Sequence, residues 1–141
     1  MLVSQHHGIG MFNPHFRFLL GILVPLLVFP QASAKKKQQL TGIYTDMRYN
    51  EEGGDVLGME LYLVYGGRGY FATVQCAGGE PSKPVTIPVQ ISGNGMAFRL
   101  PEGLPECGIS FTGVITSKGL KGRFDGEATD RWLPRKNGYW Q

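Results

Sequence analysis

Residues Met59–Gly69 read MELYLVYGGRG. Met59, Leu61, Leu63 and Tyr65 alternate with Glu60, Tyr62 and Val64, the two-residue period of a strand with one face on a core. Gly66-Gly67-Arg68-Gly69 then supplies the residues of a hairpin turn. The pattern recurs downstream. Val85, Ile87, Val89 and Ile91 alternate with Thr86, Pro88, Gln90 and Ser92. Pro88 cannot donate to a ladder, so it marks an edge or a bulge. Phe111, Gly113 and Ile115 alternate with Thr112, Val114 and Thr116, and Leu120, Gly122 and Phe124 with Lys121, Arg123 and Asp125. Gly93-Asn94-Gly95 and Ser117-Lys118-Gly119 read as further hairpin turns.

No long helical period interrupts this series. Strands are predicted over about 40–49, 56–65, 70–77, 84–92, 96–100, 108–116, 120–125 and 130–136. Eight strands joined in order by short turns predict an all-β fold, an antiparallel up-and-down meander. Closure into a small, closed or nearly closed barrel is the economical form, because it removes exposed edges. A β-sandwich is the alternative. Gly42, Gly113 and Gly122 inside strands fit the sharp coiling of a small barrel.

The N-terminal region is of a different kind. Phe18–Phe29, FLLGILVPLLVF, is apolar but short, and Pro25 lies within it. A bilayer-spanning helix needs about 20 apolar residues, whereas a signal-peptide core needs about 7–15. Arg17 precedes the run and Ala32-Ser33-Ala34 follows as a small-x-small cleavage site. Residues 1–34 are therefore expected to be a signal peptide, with Met11 an alternative start, and no stable membrane span is expected after cleavage. Residues 35–39 form a basic leader and 40–141 one barrel domain. The expected location is exported, periplasmic or secreted.

Removing 34 of 141 residues leaves 107. Of the 14 basic residues all but Arg17 remain, against 11 acids, and three of them are Lys35–Lys37. The basic balance thus sits in a short leader and not on a folded face, so nucleic-acid binding is not expected. Cys76 and Cys107 are the only cysteines; in an exported chain an even count reads as a disulfide. All three histidines, His6, His7 and His15, precede the cleavage site. The mature chain thereby lacks the commonest general base and the usual nitrogen ligand for zinc. No catalytic residue, metal or cofactor is expected.

Candidate ligand-binding residues are Tyr44, Asp46, Arg48, Tyr62 and Arg99. Tyr44, Asp46 and Arg48 share one face of the first strand, and Ile43, Met47 and Tyr49 share the other. The apolar set is expected to point inward, since apolar faces decide strand orientation. The opposite orientation would bury a carboxylate and a guanidinium, which needs pairing or a polar ligand. Arg99 and Arg123 with Lys121 offer an anion-binding patch, though a plain charged exterior is the simpler reading. Tyr139-Trp140 is expected to cover the barrel bottom.

Leu40-Thr41-Gly42-Ile43-Tyr44-Thr45 resembles the opening strand of the lipocalin and avidin (calycin) barrels, with Tyr where their Gly-x-Trp motif has Trp. The resemblance implies an aromatic plug at one barrel end beneath a basic residue of the last strand, here Arg131 or Arg135. The further lipocalin motifs and the Trp-rich walls of the avidins are absent, so biotin binding is not implied. More broadly the chain looks like small exported bacterial β-barrel proteins. The expected role is a non-enzymatic binding barrel for a small or apolar ligand. The alternative is an exported protein-interaction module such as a protease or lysozyme inhibitor. A carboxylate-dependent hydrolase ranks last. The partner is thus an unknown small molecule or an exported protein.

Overall fold

The computed structural model describes residues 38–101, 104 and 106–141; the expected signal peptide and Lys35–Lys37 lie outside the described residues. The strands are β1 (Gly42–Thr45), β2 (Arg48–Asn50), β3 (Asp55–Tyr65), β4 (Tyr70–Gly79), β5 (Val85–Ser92), β6 (Gly95–Arg99), β7 (Ser110–Ile115), β8 (Gly119–Phe124) and β9 (Arg131–Pro134). They make one antiparallel sheet in the order β1-β3-β4-β5-β6-β7-β8-β9, with β2 continuing β1 along the edge of β3. The sheet curls until β9 reaches β1. There Tyr44 pairs with Arg135, and the Lys136 N–H donates to the Ile43 carbonyl at 3.3 Å. The meander is a nearly closed barrel with one unsealed seam, not a sandwich.

The predicted strand 40–49 is two strands, and Asp46 causes the break. Its backbone N–H donates to the Met59 carbonyl at 3.1 Å, and its side-chain Oδ1 accepts the Met59 N–H at 2.7 Å. Met47 N–H turns back to the Thr45 hydroxyl at 3.1 Å instead of crossing to β3. The register survives the break, with Thr45 opposite Glu60 and Arg48 opposite Leu57, but the alternation does not. Tyr44, Thr45 and Met47 are buried while Arg48 and Tyr49 are exposed. Neither of the two faces read from the sequence points inward as a set, because a polar side chain has captured a ladder amide.

The interior is occupied by the barrel's own side chains. Met59, Leu61 and Leu63 of β3 meet Phe98, Phe111, Phe124 and Leu133 from the opposite wall. The Phe98 and Phe111 rings stack at 4.9 Å, and Phe124 stands edge-on to Phe111 at 5.1 Å. Gly122, paired with Gly113 across β7 and β8, makes room for this cluster. A Cβ on Gly122 would lie 2.6 Å from Phe111 Cζ. One end of the barrel is crossed by residues 38–40, where Gln38 Nε2 donates to the Ile115 carbonyl at 2.8 Å and Leu40 packs on the core. At the other end Leu104 and Cys107, from the β6–β7 connection, pack against the core. Cys107 is disulfide-bonded to buried Cys76 of β4, so the bond joins a strand to the loop of a non-neighbouring pair.

Candidate functional site

Tyr44 is fully buried at the closed end of the seam. Its hydroxyl donates to the Leu40 carbonyl and accepts from Arg135 Nη2. The Arg135 guanidinium lies 4.8 Å from the Tyr44 ring centre and also donates to the Thr41 and Gln39 carbonyls, both at 2.6 Å. Gly42, at φ 148°, leaves the space, since a Cβ there would stand 2.6 Å from Arg135 Nη1. Burial pushes the Tyr44 phenol above its ordinary pKa, against the opposing charge and hydrogen bond of Arg135. The phenol therefore stays protonated and donates to the Leu40 carbonyl, with the Arg135 guanidinium over its ring. Arg135→Met keeps the aliphatic bulk and removes the donors. It is expected to cost about 2–3 kcal/mol, measured by urea denaturation.

Asp46 and Arg48 line a polar groove of about 550 Å³ at the open end of the seam, with Glu106, Glu127 and Arg131. Extending the Tyr44–Arg135 register would set Arg48 opposite Arg131. Like charges directly opposite oppose pairing, which accounts for the unsealed edge. Arg131 turns to Glu127 instead, with Nη2 and Nε at 2.6 and 2.8 Å from Oε1. Glu127 Oε2 accepts the Phe124 N–H at 2.8 Å.

Burial opposes ionisation of Glu127, but the Arg131 hydrogen bond, the Phe124 N–H and the Arg131 charge together hold its carboxyl below the ordinary 4.5. A carboxyl lowered on folding stabilises the fold above its unfolded value, and that gain is lost as the pH falls through the folded value. Thermal melts should therefore show the unaltered protein's advantage over Glu127→Gln in full at pH 7 and shrinking as the pH falls below the ordinary carboxylate range and through the lowered folded value.

Tyr62 and Arg99 lie on the outside, on different strands, away from Tyr44. Tyr62 projects from β3, and Arg99 Nη1 reaches Ser110 Oγ on β7 at 3.3 Å. The five residues singled out from sequence thus divide among four places, and only Asp46 and Arg48 share a groove. The anion patch is also altered. Lys121 and Arg123 both approach Asp130, at 3.3 and 4.0 Å, so one carboxylate offsets them.

An exterior concavity of about 760 Å³ runs across the outer faces of β5 to β8. Gln90, Ala97, Thr112, Val114, Lys121 and Arg123 are among its walls. From its wall, Val114 and Lys121 continue in one row across three strands to Trp132, which is 45 % exposed.

The C-terminal residues do not cover the barrel bottom. Tyr139 and Trp140 lie on the outside of β3 and β4, where Tyr139 N–H donates to Glu60 Oε2 at 2.6 Å and Trp140 Nε1 donates to Gln75 Oε1 at 2.9 Å. Sequence reasoning passed over Glu60, Gln75, Glu127 and Asp130. The first two looked like ordinary outward positions, and the last two sit in a turn whose partners depend on the final register. Comparison with protein families, with curated proteins and with solved structures finds no match to this chain.

Proposed function

We propose that the protein is an exported, non-enzymatic interaction module that engages another exported protein through the outer face of β5 to β8. The observation that carries this reading is the filled interior. Tyr44, Phe98, Phe111 and Phe124 occupy the space that a lumen ligand would need, Gln38 and Leu40 lie over one end, and Leu104 and Cys107 pack on the core at the other. Contacts with a partner therefore fall to the exterior. The β5–β8 groove combines apolar Ala97 and Val114 with Lys121 and Arg123 and is flanked by Trp132. Protein interfaces favour such Trp and Arg anchors within mixed surfaces. The inhibitor reading belongs to this class. The disulfide and the plugged seam supply the rigidity that lets a small domain present a fixed surface. The Tyr44–Arg135 pair supports a calycin-like architecture, used here for its outside.

Native mass spectrometry of the protein purified from the exported fraction of its host tests this. The expected result is a retained polypeptide in the unaltered protein that Trp132→Ala loses at unchanged melting temperature. Loss of an interface Trp anchor should weaken binding by at least about 2 kcal/mol, some thirtyfold. A retained small molecule with no polypeptide would overturn the reading.

A further inference from the structure

We propose that the cleft between Tyr62 and Trp140 binds an organic cation of the trimethylammonium kind. This site lies on β3 and β4, goes beyond the protein-interaction reading and does not depend on it. The cleft, about 430 Å³, is lined by Ile43, Glu60, Tyr62, Thr73, Gln75 and Pro84 together with the two C-terminal residues. Three properties of these residues point to one ligand chemistry.

The first is exposed aromatic surface held in place. Trp140 is 61 % and Tyr62 50 % exposed. Trp140 nonetheless has its indole N–H fixed on Gln75 Oε1 at 2.9 Å, and its ring meets Tyr139 edge-on at 4.7 Å. These two contacts orient the indole in advance, which lowers the ordering cost for a ligand.

The second is charge. Glu60 is the one charged side chain in the lining, and among the described residues no cation lies within ion-pair distance of it. Its Oε2 accepts the Tyr139 N–H, which fixes the carboxylate at the edge of the aromatic walls. Ring faces and a carboxylate both attract positive charge.

The third is the balance of apolar and polar surface. Ile43, Pro84 and the two rings favour a weakly hydrated cation with a methylated surface. A lysine ammonium, compact and strongly hydrated, loses more on entering such a half-open site.

The test is choline titration into ¹⁵N-labelled protein, followed by amide and indole N–H signals, with sodium chloride at matched ionic strength as the reference. The chain has two tryptophans, so Trp132 serves as an internal control on another face. Choline should move the Trp140 indole and Tyr139 amide signals and leave the Trp132 indole in place. The neutral isostere 3,3-dimethylbutan-1-ol should bind about threefold to fivefold more weakly, the ratio expected for an exposed cation–π contact. Glu60→Gln keeps an acceptor for Tyr139 N–H and should weaken choline by a similar factor, while Tyr62→Ala should weaken it without displacing the Trp140 indole signal of the free protein. A second titration with phosphatidylcholine vesicles separates the sources of the same group. Broadening of the Trp140 signal assigns it to a lipid surface, and no broadening assigns it to a free solute. Equal affinity for the isostere, a stronger response to cellobiose than to choline, or the absence of choline-dependent shifts would each overturn the proposal.

Discussion

Phe111→Ala is expected to lower the free energy of unfolding by about 3–5 kcal/mol, the range for removing a large aromatic side chain from a packed core. Phe111 is fully buried, stacked on Phe98 at 4.9 Å and met edge-on by Phe124 at 5.1 Å. Gly122 and Gly113 stand against its ring, and a Cβ on either would lie within 3 Å of it. Without Cβ atoms these glycines cannot lean into the vacated space, so the site collapses poorly and the cavity term is retained. Urea denaturation checks the magnitude. The same variant also probes function. If the interior is a core, Phe111→Ala should gain the ability to bind a benzene-sized apolar probe that the unaltered protein ignores. A loss below about 1 kcal/mol, outside the range expected for such a truncation, would mean that the barrel interior is loose. The lumen-ligand reading would then regain its footing.

Much of this architecture is legible in the sequence because the barrel is built from period-two strands. Inward residues alternate with outward ones through Met59–Val64 of β3, through β5 and β7 and through Leu120–Phe124 of β8, and Gly-rich turns punctuate them. The Tyr44–Arg135 plug is legible only as a pair of alternatives, Arg131 or Arg135, through the resemblance of the opening strand to calycin barrels. The choice between Arg131 and Arg135 depends on where β9 meets β1. A single bridge sets that register, and no local pattern encodes it.

The splitting of 40–49 was illegible for a related reason. Asp46 reads as a polar position in an alternating strand, but its carboxylate competes for a backbone amide 13 residues away. Short polar side chains offer the backbone such alternatives to the ladder. The binding surfaces are legible least of all. Lys121, Arg123 and Asp130 become neighbours only after β8 and β9 pair, and Trp140 becomes a wall only because Gln75 receives its N–H. Outward positions carry no hydrophobic signal, so their grouping is a property of the register.

Removal of the Cys76–Cys107 bond should rank with the loss of Phe111. The two cysteines are 31 positions apart. Opening a loop of that length returns about 3–4 kcal/mol of chain entropy to the unfolded state. For a domain of about 100 residues this corresponds to a fall in Tm of roughly 15–25 °C. The consequence is also local. Cys107 belongs to the β6–β7 connection, and with Leu104 it packs against the core at the end of the barrel opposite Tyr44. Glu106 beside it adopts a φ of 76°, a conformation unfavourable for a residue with a side chain. Without the bond this connection should loosen first, so amide hydrogen exchange ought to accelerate at residues 106–109 before β7 and β8 respond. Cys76→Ala with Cys107→Ala is the better variant, because a serine would place an unpartnered hydroxyl in the buried Cys76 position. Calorimetry of the double variant, and of the unaltered protein with and without reductant, gives the magnitude. An unchanged melting temperature would show that the bond contributes nothing to the fold. Free thiols at both positions in protein recovered from its host would also count against export, with which the oxidised pair is consistent.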